Sequence, residues 1–194
     1  MAHGINLKKE ELSSERGLEK VWGMMFDPLV ALEVKVLVKQ IRSLNKSISE
    51  LDKAIEEEGW KLKGHKNLKS IKGIGDLGAR ILLSVIGDVN DFANEGKLAP
   101  YFGIVPRVSN SNETQRSGRI TKRGSKLGRT TLVQCCLIAK RYSSYLNTYY
   151  ERIKARCGGG KAIIALARKF LSIIYKTLKN DWMWADFHNG VLAK

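Results

Sequence analysis

Cysteine is scarce in this sequence. Cys135, Cys136 and Cys157 make an odd count with no C-x-x-C pair. That pattern excludes a disulfide framework and predicts reduced, mostly buried thiols. Long apolar runs are absent too. No stretch approaches the length of a membrane span, and the opening MAHGINLKKEELSSE has no apolar signal region. A cytoplasmic protein with no membrane partner is the expectation. Histidine is sparse: His3, His65 and His188 are scattered and form no metal or triad constellation. Acidic residues are nearly missing from one segment. Residues 103–180 hold 17 Lys and Arg against 2 Asp and Glu, whereas residues 1–102 are almost balanced at 16 against 15. The net charge of +15 therefore sits in one block. Such a block repels itself unless a polyanion meets it, so nucleic acid is the leading partner.

What is present is ordinary globular composition. The 194 residues are 43% hydrophobic and 27% charged, enough for one or two domains with a real core. Residues 1–27 read as a leader with room for a short helix at Leu12, Leu18, Val21 and Trp22. Pro28 opens a long helix, and a coiled-coil-like segment spans 28–62. Val30, Val34, Leu37, Ile41, Leu44, Ile48, Leu51 and Ile55 alternate steps of four and three, an unbroken heptad seam. β-Branched a positions with Leu at d favour a parallel two-stranded coil, so a homo-oligomer, dimeric through 30–55, is expected. Packing within its own domain is the alternative, and Val36 and Val38 widen the stripe in that direction. Gly59 ends the helix.

Residues 63–194 form the rest. In 68–85, Gly73-Ile74-Gly75 separates two apolar helical segments, the pattern of a helix-hairpin-helix. Gly73 and Gly75 would let the backbone approach a phosphate near the second helix's N-terminus. Ile74 would plug the hairpin, with Leu68, Ile71, Ala79, Leu82 and Leu83 joining the helices. Asp88 and Asp91 lack a third acid and read as turn or capping residues rather than metal ligands, with Asp91 or Asn94 before a short helix at 96–101. No metal ligands are assigned.

The stretch Tyr101–Arg129 is polar and glycine-punctuated, with four serines, seven Lys or Arg and one acid. A loop this long is usually functional or disordered. Its glycines resemble those of a folded turn, and Arg119-Ile120-Thr121 has the pattern of a paired strand. Helices are expected at 125–141, 143–156 and 161–178. In the second, Tyr145, Tyr149 and Tyr150 lie among Arg152, Lys154 and Arg156, positions suited to base stacking or to plain packing. Cys157-Gly158-Gly159-Gly160-Lys161-Ala162 fails as a phosphate loop, since no Gly sits five before Gly160 and Ala162 replaces the Ser or Thr. Trp182, Trp184 and Phe187 read as a packed cap.

The central motifs resemble a known family. Gly103-Ile104-Val105-Pro106, then Gly118-Arg119-Ile120-Thr121-Lys122-Arg123-Gly124, then Leu127-x-Arg129-x-x-Leu132-Val133 are similar to the C-terminal domain of insertion-sequence one-ten family transposases. These are relatives of the Piv DNA invertases and are understood as bridge-RNA-guided recombinases. The resemblance covers roughly residues 28–190. It implies a serine nucleophile in the loop, DNA and a guide RNA as partners, and a higher assembly on DNA. It also implies an N-terminal RuvC-like domain whose four acids bind magnesium. That tetrad has no counterpart here, so the chain reads as the second half of such a transposase, with magnesium expected on the missing acidic domain and no cofactor on this chain. The serine in the family position is Ser111, followed by Asn112 rather than glycine; Ser109 is the second choice.

The expectation is a mainly α chain: a long heptad helix, a helix-hairpin-helix, then a compact basic helical transposase domain with a long central loop at 103–129. The nucleophile is Ser111. Nucleic acid is met by Gly73, Gly75, Arg116, Arg119, Lys122, Arg123, Lys126, Arg129, Lys161, Arg168 and Lys169. The competing expectations are a non-catalytic nucleic-acid-binding module and a structural dimerisation fragment.

Overall fold

A computed structural model of the chain describes residues 11–111, 114–186 and 191–193. It is mainly helical, as the periodicity predicts. The chain divides into two compact units, Met1–Glu56 and Glu57–Lys194.

In the first unit, α1 (Glu15–Trp22) is capped by Ser14, whose Oγ accepts from Gly17 N. Leu18 and Val21 on α1 are buried together with Val38 of α2 (Pro28–Gly59), and Val34 and Ile41 pack beside them. Arg42 pairs with Glu15 and lies 5.7 Å from the Trp22 ring centre. Two of the seam residues, Val34 and Ile41, thus meet their own unit. Leu37, Leu44, Ile48, Leu51 and Ile55 each remain more than half exposed.

The second unit is a helical assembly around one core. Its elements are α3 (His65–Ser70), α4 (Asp76–Ile86), α5 (Glu95–Tyr101), α6 (Lys126–Tyr142), α7 (Ser144–Cys157) and α8 (Gly159–Lys179). The periodic apolar side of α8 is its centre: Leu166, Phe170, Leu171 and Ile174 are essentially inaccessible. Each such side chain contributes about 1.5–3 kcal/mol of burial. Side-chain caps set the boundaries: Asn94 Oδ1 accepts from Lys97 N, Ser125 Oγ from Gly128 N, and Ser143 Oγ from Leu146 N. Gly158, at φ 81°, separates α7 from α8, the helix-breaking role its sequence implies. Trp184 is buried in the core, and its backbone N–H donates to Ser70 Oγ. It lies on β3 (Met183–Asp186), which pairs antiparallel with β4 (Val191–Ala193). Phe187 lies outside the described residues. Among the described residues no helix is long and apolar enough to cross a membrane.

The structure departs from the sequence reading at the central loop. About half of 103–129 is a two-stranded antiparallel ribbon, β1 (Pro106–Ser111) with β2 (Thr114–Ile120). Both strands are polar in sequence, and hydrophobic periodicity cannot report a strand without alternating apolar residues.

Candidate nucleic-acid interface and serine hairpin

The ribbon is anchored at its foot by backbone packing. Gly103 and Gly124 both have left-handed φ, 65° and 115°. A Cβ on Gly103 would stand 2.2 Å from Arg123 O, and one on Gly124 would stand 2.1 Å from Tyr101 O. Only glycine permits two chains to approach this closely. Thr121 N donates to Val105 O at 2.9 Å, and Lys122 N to Gly103 O at 3.1 Å. Arg129 reaches over from α6, and its Nη1 donates to Phe102 O at 3.2 Å and Lys122 O at 3.4 Å. Lys122 itself has φ 54°, a conformation costing a residue with a Cβ about 1–2 kcal/mol. The surrounding bonds hold it there.

The register places Ser109 opposite Arg116 and Ser111 opposite Thr114, with an irregularity between Pro106 and Val108. The side chains of residues 108–117 lie outside the described set, so Ser109, Ser111 and Arg116 are located by backbone alone. Arg119 near the end of β2 is exposed, as are Lys122, Arg123 and Lys126 beyond the ribbon. Arg129 is not fully exposed, and part of its donor capacity is already spent on the two carbonyls. That structural use was invisible in sequence, where Arg129 looked like the other cations.

The turn between α3 and α4 treats its two glycines differently. Gly73 has φ 109°, and a Cβ there would meet Ala139 N at 2.6 Å and Ala139 Cα at 2.8 Å on α6. Gly75, before the first residue of α4, has open space where its Cβ would be. Ile74 is buried between them, with Leu68, Ile71, Ala79, Leu82 and Leu83 in the same core. Asp76 opens α4 with a carboxylate at the helix's positive end. Lys69 Nζ lies 2.7 Å from its Oδ1, and the buried His65 lies 3.8 Å away. The Lys69 hydrogen bond leads in holding the Asp76 carboxyl below its ordinary value, and the Lys69, His65 and Arg80 charges add to it against partial burial.

On the C-terminal helices, Lys161 and Arg168 are exposed. Lys169 lies 5.5 Å from the Tyr145 ring centre, and a hydrogen bond to Tyr145 raises its pKa. Arg152 lies 5.7 Å from the Tyr149 ring centre. Tyr150 is buried, so it belongs to the core. The thiols of Cys135 and Cys136 are buried and pushed up by that burial to about 11 and about 12, while Cys157 is exposed. Asp88 caps a short turn by accepting from Asn90 N at 2.9 Å. Among the described residues no group of three or more His, Cys, Asp or Glu is placed to hold a metal ion.

A feature missed in the sequence lies beside the hairpin foot. Lys97 and Tyr101, one turn apart on α5, border a cavity of about 580 Å³ together with Arg123. The signal was the i, i+4 spacing of a cation and an aromatic.

Residues 65–151 match the family model described as Transposase IS116/IS110/IS902 family. The chain is 31% identical over 160 residues to the insertion element IS900 uncharacterized 42 kDa protein of Mycobacterium paratuberculosis, a match covering 78% of this chain and 39% of that protein. It is 26% identical to the transposase for insertion sequence element IS1111A of Coxiella burnetii, over 92% of this chain and 49% of that protein. It is 26% identical to the insertion element IS110 uncharacterized 43.6 kDa protein of Streptomyces coelicolor, over 58% of this chain and 28% of that protein. The chain thus spans less than half the length of these relatives. Together these matches support the IS116/IS110/IS902 transposase family for this chain, with residues 65–151 as the segment that matches the family domain.

Proposed function

We propose that this chain is the DNA-handling, serine-bearing part of an insertion-sequence transposase, acting in the cytoplasm. Its similarity to insertion-sequence transposases supports the transposase role. The observation that carries the finer reading is the ribbon. A rigidly footed hairpin bears Ser109 and Ser111 on one strand and the exposed Arg119 on the other, and exposed Lys122, Arg123 and Lys126 follow it.

In this reading Ser111 Oγ attacks a DNA phosphodiester. An Oγ–P bond forms, the P–O bond to the departing strand breaks, and the departing oxygen leaves as a hydroxyl after gaining a proton. The serine proton passes to a base. A second strand's hydroxyl then attacks the phosphoserine and releases the serine. Arg119, Lys122 and Arg123 offset charge on the phosphoryl oxygens. Arg129 positions the hairpin foot and has donor capacity left for phosphate. Gly75, Lys161, Arg168 and Lys169, with Gly73 through its backbone, extend the nucleic-acid contact. Magnesium would be held by the acids of a separate RuvC-like domain. A guide RNA selects the target, and the exposed seam at Leu37, Leu44, Ile48, Leu51 and Ile55 joins two copies.

The test is strand cleavage by the chain supplied with an acidic RuvC-like domain and guide RNA, comparing wild type with Ser111→Ala and Ser109→Ala. Loss of cleavage in Ser111→Ala, with duplex binding retained, supports the reading. Unchanged cleavage in both variants removes the serine mechanism and leaves a binding module.

A further inference from the structure

The cavity beside the hairpin foot has a composition that selects its occupant. Lys97 and Arg123 line it, and neither is in an ion pair among the described residues. Among the described residues no carboxylate lines it. Its apolar wall is Val85, Pro100 and the half-exposed Tyr101. Phe92 meets the Tyr101 ring edge-on, with centroids 5.5 Å apart, and fixes its orientation. At about 580 Å³ the space falls within the range that holds a small organic ligand. Two unpaired cations call for an anion, and an aromatic wall calls for a flat apolar group. A nucleotide joins both in one molecule.

The setting narrows this further. Arg123 and Gly124 belong to the chain leaving β2, and Tyr101 O is the atom that Gly124 approaches so closely. The cavity is therefore built into the same backbone junction that fixes the ribbon. We propose that this cleft takes one unstacked nucleotide of a DNA strand, its base against Tyr101 and its phosphate between Lys97 and Arg123. The assignment rests on the DNA-handling reading above and gives it a residue-level binding site. Since every base has a π-face, the cleft would accept any base and measure whether a base is free of its stack. Its function would be to hold the strand next to the ribbon once the duplex opens.

The experiment uses the full chain and fluorescence anisotropy with three probes: a short single-stranded oligodeoxynucleotide, the same strand carrying abasic sites throughout, and a duplex of equal length. A free mononucleotide serves as competitor. The variants are Tyr101→Ala, Tyr101→Phe and Lys97→Gln, with circular dichroism melts to confirm folding. The cleft predicts that Tyr101→Ala weakens single-strand binding about 5- to 100-fold, the range of base–aromatic stacking. Tyr101→Phe keeps wild-type affinity, and the abasic strand is insensitive to both. Lys97→Gln lowers the salt slope by about one charge without removing the preference for bases. If Tyr101→Ala unfolds the chain, Lys97→Gln and the abasic comparison on wild type still decide. Equal binding of base-bearing and abasic strands by wild type overturns the proposal. So does a Tyr101→Ala loss that is the same on the abasic strand. A mononucleotide that competes as well as the strand overturns the strand assignment. Failure of wild type to bind the duplex as well would instead remove the DNA-handling reading itself.

Discussion

α2 and α8 are the two long amphipathic helices of this chain, 32 and 21 residues, and they resolve the same kind of pattern differently. On α8 the apolar side is closed over: Leu166, Phe170, Leu171 and Ile174 have at most 1% exposure. Of the apolar side chains on α2 only Val38 is buried, with Val34 and Ile41 partly covered, and Leu44, Ile48, Leu51 and Ile55 are exposed. Periodicity states which face is apolar. It does not state what covers it, because that depends on residues distant in sequence or on another molecule. The regular 4,3 spacing of α2 and its β-branched a positions are the features that separate a seam from a core stripe.

The contrast breaks most sharply through α8. Phe170→Ala should cost about 3–5 kcal/mol, read by urea unfolding of the second unit, because a buried ring leaves a cavity that neighbours fill only in part. A loss below about 1 kcal/mol would mean that the α8 face is not the core. The double change Leu44→Lys with Leu51→Lys should leave that unfolding transition in place. It should abolish self-association measured by sedimentation, if the seam joins two copies. A chain that is monomeric before the substitutions removes the dimer proposal.

The same difference between covered and open positions recurs within the turn joining α3 and α4. Gly73→Ala drives a methyl into the Ala139 backbone at a left-handed φ, with an expected cost on the order of 2–4 kcal/mol from strain and overpacking. Gly75→Ala meets nothing and should change stability by less than about 0.5 kcal/mol. Thermal melts of the pair check this. Similar losses for both would show that the turn does not pack against α6 as described.

The smallest effect concerns Asp76. Its folded pKa is depressed, chiefly by the Lys69 hydrogen bond, below the ordinary value of 3.8. The stability it contributes is therefore fully present above that value and is lost as pH falls through the depressed one. Lys69→Gln should flatten the acid limb of a stability–pH curve. An unchanged limb would show that the pair adds nothing.

Much of this was legible in sequence because it rested on local signals. Pro28 and Gly59 bounded α2, Asn94 was one of two candidate caps for α5, and the glycines at 158–160 broke α7 from α8. The ribbon was not legible as a hairpin, because its strands carry no alternating apolar face. The part of Arg129 was hidden for another reason. Its partners, the carbonyls of Phe102 and Lys122, are backbone atoms brought near by the fold, and side-chain identity carries no trace of them. For Gly73, φ and the nearness of Ala139 decide its role, and both are tertiary facts.

The most direct test of the serine hairpin is mass spectrometry of the covalent protein–DNA product, formed with an acidic domain and guide RNA supplied and trapped before rejoining. The account predicts a nucleotide remnant on the β1 peptide, at Ser111 or, failing that, Ser109, and none in the matching alanine variant. A remnant on any other residue, or an equal yield from the Ser111→Ala, Ser109→Ala double variant, would contradict it.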